Sequence, residues 1–245
     1  MIQRTAFLLY GLFCYLVASS VTLLLIAFVG NFGLANTLDS TVKLPFWRAF
    51  FVNIGLIVIF GAQHSLMARA SFKKWLATFL PSVLERSTYV LLSSLVLLMV
   101  IFFWQPLGGV VWVVENPIGQ KILYGLFGLG WLLVAVSTFA IHHFDLFGLR
   151  QVYLFYKNKP YRSLEMEVPT LYQQVRHPLY LGFLIAFWAT PTMTVSHLLF
   201  ALLMTSYVLI GIYFEEKDLI TTHGKAYKEY KEKVPMLLPF LRKRI

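Results

Sequence analysis

The stretch VRHPLYLG, residues 175–182, sets an arginine, a histidine, a proline and a tyrosine at the mouth of a long uncharged run. Arg176 offers a planar fork of N–H donors that suits a carboxylate or a phosphate. Pro178 fits the first turn of a helix, where a missing N–H costs nothing. The free N–H groups of such a turn favour an anion. Tyr180 follows one turn after Arg176. Arginine and tyrosine are also ordinary anchors at a membrane surface, so spacing alone leaves an anchor and a ligand site both open. At the far end of the run stand Glu215 and Glu216. Acids at a helix C-terminus oppose its dipole. A pair of them asks for a cationic partner, either Arg176 or the ammonium or hydroxyl groups of a ligand.

Such residues meet only if the chain between them folds back. Of the 245 residues, 58% are hydrophobic and 13% charged, and mean hydropathy is +0.70. Soluble domains carry about 25% charged residues, which excludes that class. Charge vanishes from Arg4 to Asp39, Arg48 to Arg69, Arg86 to Glu115, Lys121 to Asp145 and Arg176 to Glu215. A helix needs about 20 apolar residues to cross the hydrocarbon. The pattern predicts an all-α integral membrane protein with spans at 5–30, 48–67, 88–106 and 120–141. The last gap is broken by Pro191 and predicts a C-terminal helical hairpin, its arms at 179–190 and 192–214. A short polar tail helix follows, interrupted at Gly224 and stopped by Pro235 and Pro239.

The net charge of +10 reports topology and not nucleic acid. Lys and Arg cluster at 69–86, 150–176 and 217–244. This places the N-terminus, the 142–177 segment and the tail in the cytoplasm. The single cysteine, Cys14, excludes an internal disulfide and a cysteine metal site.

Three segments at the C-terminal end carry a family resemblance. RHPLYLG, EEKDL and HGKAYKEYKEKVP resemble the isoprenylcysteine carboxyl methyltransferase superfamily of membrane enzymes. QHSLMARASFKKW at 63–75, ERSTYVLLSSL at 85–95 and HHFDLFGLRQVYLF at 142–155 extend the likeness over nearly the whole chain. With them it is similar to the methanethiol S-methyltransferase branch. The resemblance implies one polytopic domain over 1–245, with S-adenosylmethionine as cofactor held by about 142–240. It implies a pocket lined by His177, Tyr180 and Glu216, and Arg176, Gly182, Glu215 and Tyr227 are expected to complete it. The implied partners are a small apolar thiol and membrane lipid; the charge topology suits a bacterial inner membrane. Membrane reductases that use NADPH share the RHP and KxYxxYxxxVP layout, and a non-enzymatic relative linked to denitrification shares other pieces. Both remain as alternatives.

A thiol must lose its proton before it attacks a sulfonium methyl, which requires a base or a positive field. His143 is the expected base, with Asp145 two residues on to orient it. His64 and Arg86, at ends of spans on the same side, are the second candidates. No metal is expected. His142 and His143 are adjacent on a helix and point about 100° apart.

Overall fold

The structure, a computed structural model, describes residues 1–162, 164 and 168–239. The basic end of the tail at 240–245, and the part of the expected cofactor region at 163 and 165–167, lie outside the described residues.

Five helices are long and apolar enough to cross a membrane. They are α1 (Ile2–Gly30), α2 (Phe46–Ala68), α4 (Ser82–Phe103), α5 (Pro117–Ala140) and α10 (Val195–His223). The protein is an integral membrane protein, and large apolar side chains such as Leu9, Leu16 and Leu23 stand exposed along α1. Shorter helices are α3 (Ala70–Leu76), α6 (His143–Leu146), α7 (Leu149–Tyr156), α8 (Thr170–Gln174), α9 (Pro178–Trp188) and α11 (Lys225–Lys233). The expectation of an all-α chain needs one correction. Strands β1 (Val110–Val113) and β2 (Thr192–Thr194) form a two-stranded sheet. Both are short β-branched runs beside Gly or Pro, which favour extended backbone.

The chain divides into two compact units. The first comprises Met1–Gly109, His142–Glu165 and Thr194–His197. In it α1 packs on α4 and α7, and α2 packs on α4. Val152 of α7 is fully buried against Gly11 of α1, where a Cβ would lie 2.5 Å from its Cγ2. Phe7 stacks on Phe155 with ring centroids 5.3 Å apart. Arg86 Nε donates to Leu146 O at 2.7 Å and Ser87 Oγ to Gly148 O at 3.3 Å, which ties the α6–α7 turn to the start of α4. The buried Asn53 side chain exchanges hydrogen bonds with Gln105, donating to its O at 2.7 Å and accepting from its N at 2.8 Å. Apolar surroundings demand such pairing.

The second unit comprises Val110–Ile141, Met166–Met193 and Leu198–Ile245. Asn116 caps α5, its side chain accepting from Ile118 N at 2.8 Å. α5 and α9 touch at Gly130 and Gly182. A Cβ on either would come within 3 Å of the other helix's backbone. Small residues let membrane helices approach this closely. Along α9 and α10, Phe187 meets Phe200, Trp188 Nε1 donates to Thr205 Oγ1 at 2.9 Å, and Tyr180 OH donates to Glu215 Oε2 at 2.8 Å. Rising numbers on α9 meet falling numbers on α10, so the two helices are antiparallel. α10 runs unbroken to His223, and Gly224 at φ 56° then turns the chain into α11. Only glycine adopts that conformation without strain.

Candidate active site

In the second unit, Glu216 gathers three cationic or potentially cationic side chains on one carboxylate. Arg176 Nε donates to its Oε1 at 2.8 Å, and Arg176 Nη2 lies 2.8 Å from the same oxygen. His177 Nε2 lies 3.1 Å from Oε1, and Lys231 Nζ lies 2.6 Å from Oε2. Arg176, His177 and Glu216 are buried. A charge out of water is tolerated only when paired and hydrogen-bonded. The antiparallel course of α9 and α10 supplies Glu216, and the bend at Gly224 supplies Lys231.

Arg176 does more than pair. Its Nη1 donates to Lys231 O at 3.0 Å and to Val234 O, and its backbone N donates to Pro235 O at 2.9 Å. His177 N donates to Met236 O at 3.1 Å. The guanidinium read in the sequence as a fork for a ligand is thus largely committed to the tail. Glu215 and Tyr180 form the neighbouring pair, and the Glu215 side is exposed. Tyr227 is buried on α11, its ring 5.7 Å from that of Tyr230. Gly182 takes its place in the α5–α9 contact.

Tyr172 and Lys231 carry no signal used in the sequence reading, and Tyr230, on the same helical face as Tyr227, is not counted there among the site residues. Tyr230 OH donates to Tyr172 O at 2.6 Å. Burial pushes the Tyr230 phenol up to about 12, with Glu216 adding to the rise and Arg176 opposing it. Burial likewise raises Tyr172 and Tyr227. The spacing 227, 230, 231, 234 is one face of a helix and was the available signal. Beside this knot a groove of about 690 Å³ is lined by Arg176, Lys228, Lys231 and Glu232 together with Ile220 and the apolar residues 234–238. That volume lies within the ~300–1,000 Å³ common for ligand sites.

The other expected residues lie in the first unit. His143 Nε2 is 3.0 Å from Tyr15 OH, a partner that nothing in the sequence marked. Rings of Tyr15, Phe144 and Phe147 surround the imidazole, with Phe147 closest at 4.7 Å between centroids. Burial holds His143 below its ordinary pKa. Asp145, expected to orient it, receives Arg150 Nη1 at 2.9 Å and Tyr161 OH at 3.3 Å. His64 Nε2 is 2.7 Å from Tyr89 OH, and the Arg86 guanidinium lies 5.3 Å over the Tyr89 ring. Among the described residues no group of three His, Cys, Asp or Glu side chains is placed to hold a metal ion.

No family model and no solved structure matches the chain. Curated proteins do. A methanethiol S-methyltransferase of Crocosphaera subtropica is 49% identical over 243 residues, 99% of this chain and 95% of the relative. The chain belongs to the methanethiol S-methyltransferase family. A Mycobacterium tuberculosis member of that family is 46% identical over 97% of this chain and 98% of its own length. Nurim of Bos taurus is 30% identical over 76% of this chain and 72% of its own. With these relatives, RHPLYLG and EEKDL stand in a chain whose family transfers methyl groups.

Proposed function

We propose that this protein methylates methanethiol to dimethyl sulfide with S-adenosylmethionine as donor. The observation that carries the proposal is near-full-length identity of 49% to a protein named for that activity. The donor is a dipolar molecule with a sulfonium, an ammonium and a carboxylate. The available groups fit it. Glu215 presents an exposed acid held by Tyr180, and the groove beside Arg176 presents Lys228, the Glu216-paired Lys231 and Glu232. Tyr180, Glu215 and Tyr227 hold the cationic side. Arg176, His177 and Glu216 brace them, because their mutual hydrogen bonds fix the ends of α9, α10 and the tail. The cofactor, when bound, supplies an electrophilic methyl on sulfur.

His143 receives the acceptor's proton. The proton that the thiol gives up on methylation would end on the imidazole. Phe144 and Phe147 keep water from the ring. Arg86 and His64 shape that end of the first unit through Leu146 O and Tyr89. We place the N-terminus, the cofactor site and the tail in the cytoplasm of a bacterium, with α9 and α10 as a hairpin returning to that side. The excess of Lys and Arg in the corresponding segments supports this orientation.

The test is headspace detection of dimethyl sulfide from membranes given methanethiol and S-adenosylmethionine. Product is expected, and methylation of larger thiols in its place would overturn the acceptor. A thermal shift by S-adenosylmethionine that Glu215→Ala with Tyr180→Phe leaves intact would overturn the cofactor residues.

A further inference from the structure

Glu215 and Glu216 are neighbours on α10 in opposite circumstances. Glu216 is buried and meets Arg176, His177 and Lys231. Among the described residues Glu215 makes no such ion pair. Its partner is a phenol, Tyr180 OH donating to Oε2 at 2.8 Å.

The other groups near this acid are tyrosines as well. Tyr227 and Tyr230 share a face of α11, their ring centroids 5.7 Å apart. Tyr230 OH donates to Tyr172 O at 2.6 Å, which ties α8 to α11. Burial raises the Tyr172 phenol, and the negative charge of Glu215 raises it further. Burial raises Tyr227 too, with Glu216 and Glu215 adding to the rise and Arg176 opposing it. All of these residues belong to the second unit.

A carboxylate with phenol rings about it suits a cation. A ring attracts one over its face within about 6 Å of the centroid. The proposed donor carries two cations of different chemistry. Its ammonium has three N–H groups and needs acceptors. Its sulfonium has no N–H, so only charge and ring faces can hold it. The Tyr180 hydroxyl already takes lone-pair capacity from Glu215 and leaves its charge in place. That balance favours the sulfonium.

We propose that Tyr172 is a specificity-determining residue of the donor site, its ring and Glu215 together holding the sulfonium, so that S-adenosylmethionine is preferred to S-adenosylhomocysteine. The inference rests on the proposed use of S-adenosylmethionine. The spent form carries a neutral thioether where the donor carries the sulfonium, and its ammonium and carboxylate are the same. A site that reads only those two ends binds both forms alike. A site that reads the sulfonium lets the spent form go, and product release follows from how the donor is recognised.

The test is titration calorimetry of the purified full-length protein in one detergent, with each form in turn. One ring over a cation is worth a factor of about 2–30 in affinity. Wild type should bind S-adenosylmethionine at least ~10-fold more tightly than S-adenosylhomocysteine. Tyr172→Leu should cut that ratio about 3-fold or more, by weakening S-adenosylmethionine and leaving S-adenosylhomocysteine near its wild-type affinity. Tyr172→Phe keeps the ring and should keep most of the ratio. Glu215→Gln removes the charge and should lower it. A wild-type ratio near one would overturn the proposal, since the ammonium would then be the cation held. So would equal losses for the two forms in Tyr172→Leu, which would reduce the ring to packing, or an unchanged ratio in Glu215→Gln. Failure of the underlying reading looks different, since wild type would then bind neither form.

Discussion

Lys231 Nζ lies 2.6 Å from Glu216 Oε2, fifteen residues away in sequence and across the turn at Gly224. In a continuous helix those residues would stand about 22 Å apart. The bend returns α11 onto the end of α10 and closes the knot around Glu216.

Removing the centre of that knot should be severe. Glu216→Ala leaves Arg176 buried without its counter-ion, a loss of about 3–5 kcal/mol for buried pairs. At ~2–4 °C per kcal/mol for a chain of this size, Tm should fall by at least 6 °C. Lys231→Met removes a partner whose side chain is 43% exposed. Such pairs are worth about 0–1 kcal/mol, so the shift should be small. Thermal unfolding in one detergent compares the two, and equal shifts would contradict the assignment of Glu216 as centre.

Gly182→Ala should separate α5 from α9. The added Cβ would lie 2.7 Å from Gly130 O and 2.9 Å from Val134 N, backbone atoms that cannot swing aside. Overpacking costs about 1–3 kcal/mol. A lower melting temperature is expected. Gly211→Ala, where nothing lies within 4 Å, serves as the control and should be neutral or better.

Much of this is legible in the sequence. Four of the five long charge gaps mark α1, α2, α4 and α5, with α4 beginning six residues before the expected span, because hydrocarbon tolerates few charges and residue type alone reports it. Pro191 gave the break, and Gly224 gave the tail turn. Arg176 and Glu216 were expected to approach, and they do. What stayed hidden depends on three-dimensional register. That Arg176 would spend its donors on Val234 and Lys231 carbonyls cannot be read from its identity. Tyr15 was one aromatic among many in an apolar helix, and only the packing of Val152 on Gly11 slides it to His143. The strands were missed because Val110–Val113 is as apolar as the spans beside it.

With His143 as the proposed base, activity should hold at lower pH than a free imidazole would permit. A base works only when neutral. Burial holds His143 below its ordinary value near 6.5, so it stays neutral down to more acidic conditions. With the donor saturating, the acid limb of the kcat profile should fall below about pH 6.5, and His143→Ala should abolish that limb.

Alkali should loosen the tail. Tyr172, Tyr227 and Tyr230 all have raised values in the fold, Tyr230 to about 12. Their neutral forms are favoured when folded. Stability from them is complete below about pH 10, where an unfolded tyrosine ionises, and is lost as pH rises through the folded values. Melting curves between pH 9 and 12 should decline, and Tyr230→Phe should blunt the decline.

The knot also fixes an order of events during synthesis. Arg176 leaves the ribosome long before Glu216, and Met236 later still. At about 5–20 residues per second, the 40 residues from Arg176 to Glu216 take ~2–8 s to emerge. Through that interval α9 exists without its counter-ion, and Arg176 must stay with water or lipid headgroups. The short helix can settle into its final place only once α10 has been delivered to the bilayer. The last spanning helix to be made thus decides when the RHPLYLG segment becomes part of the membrane.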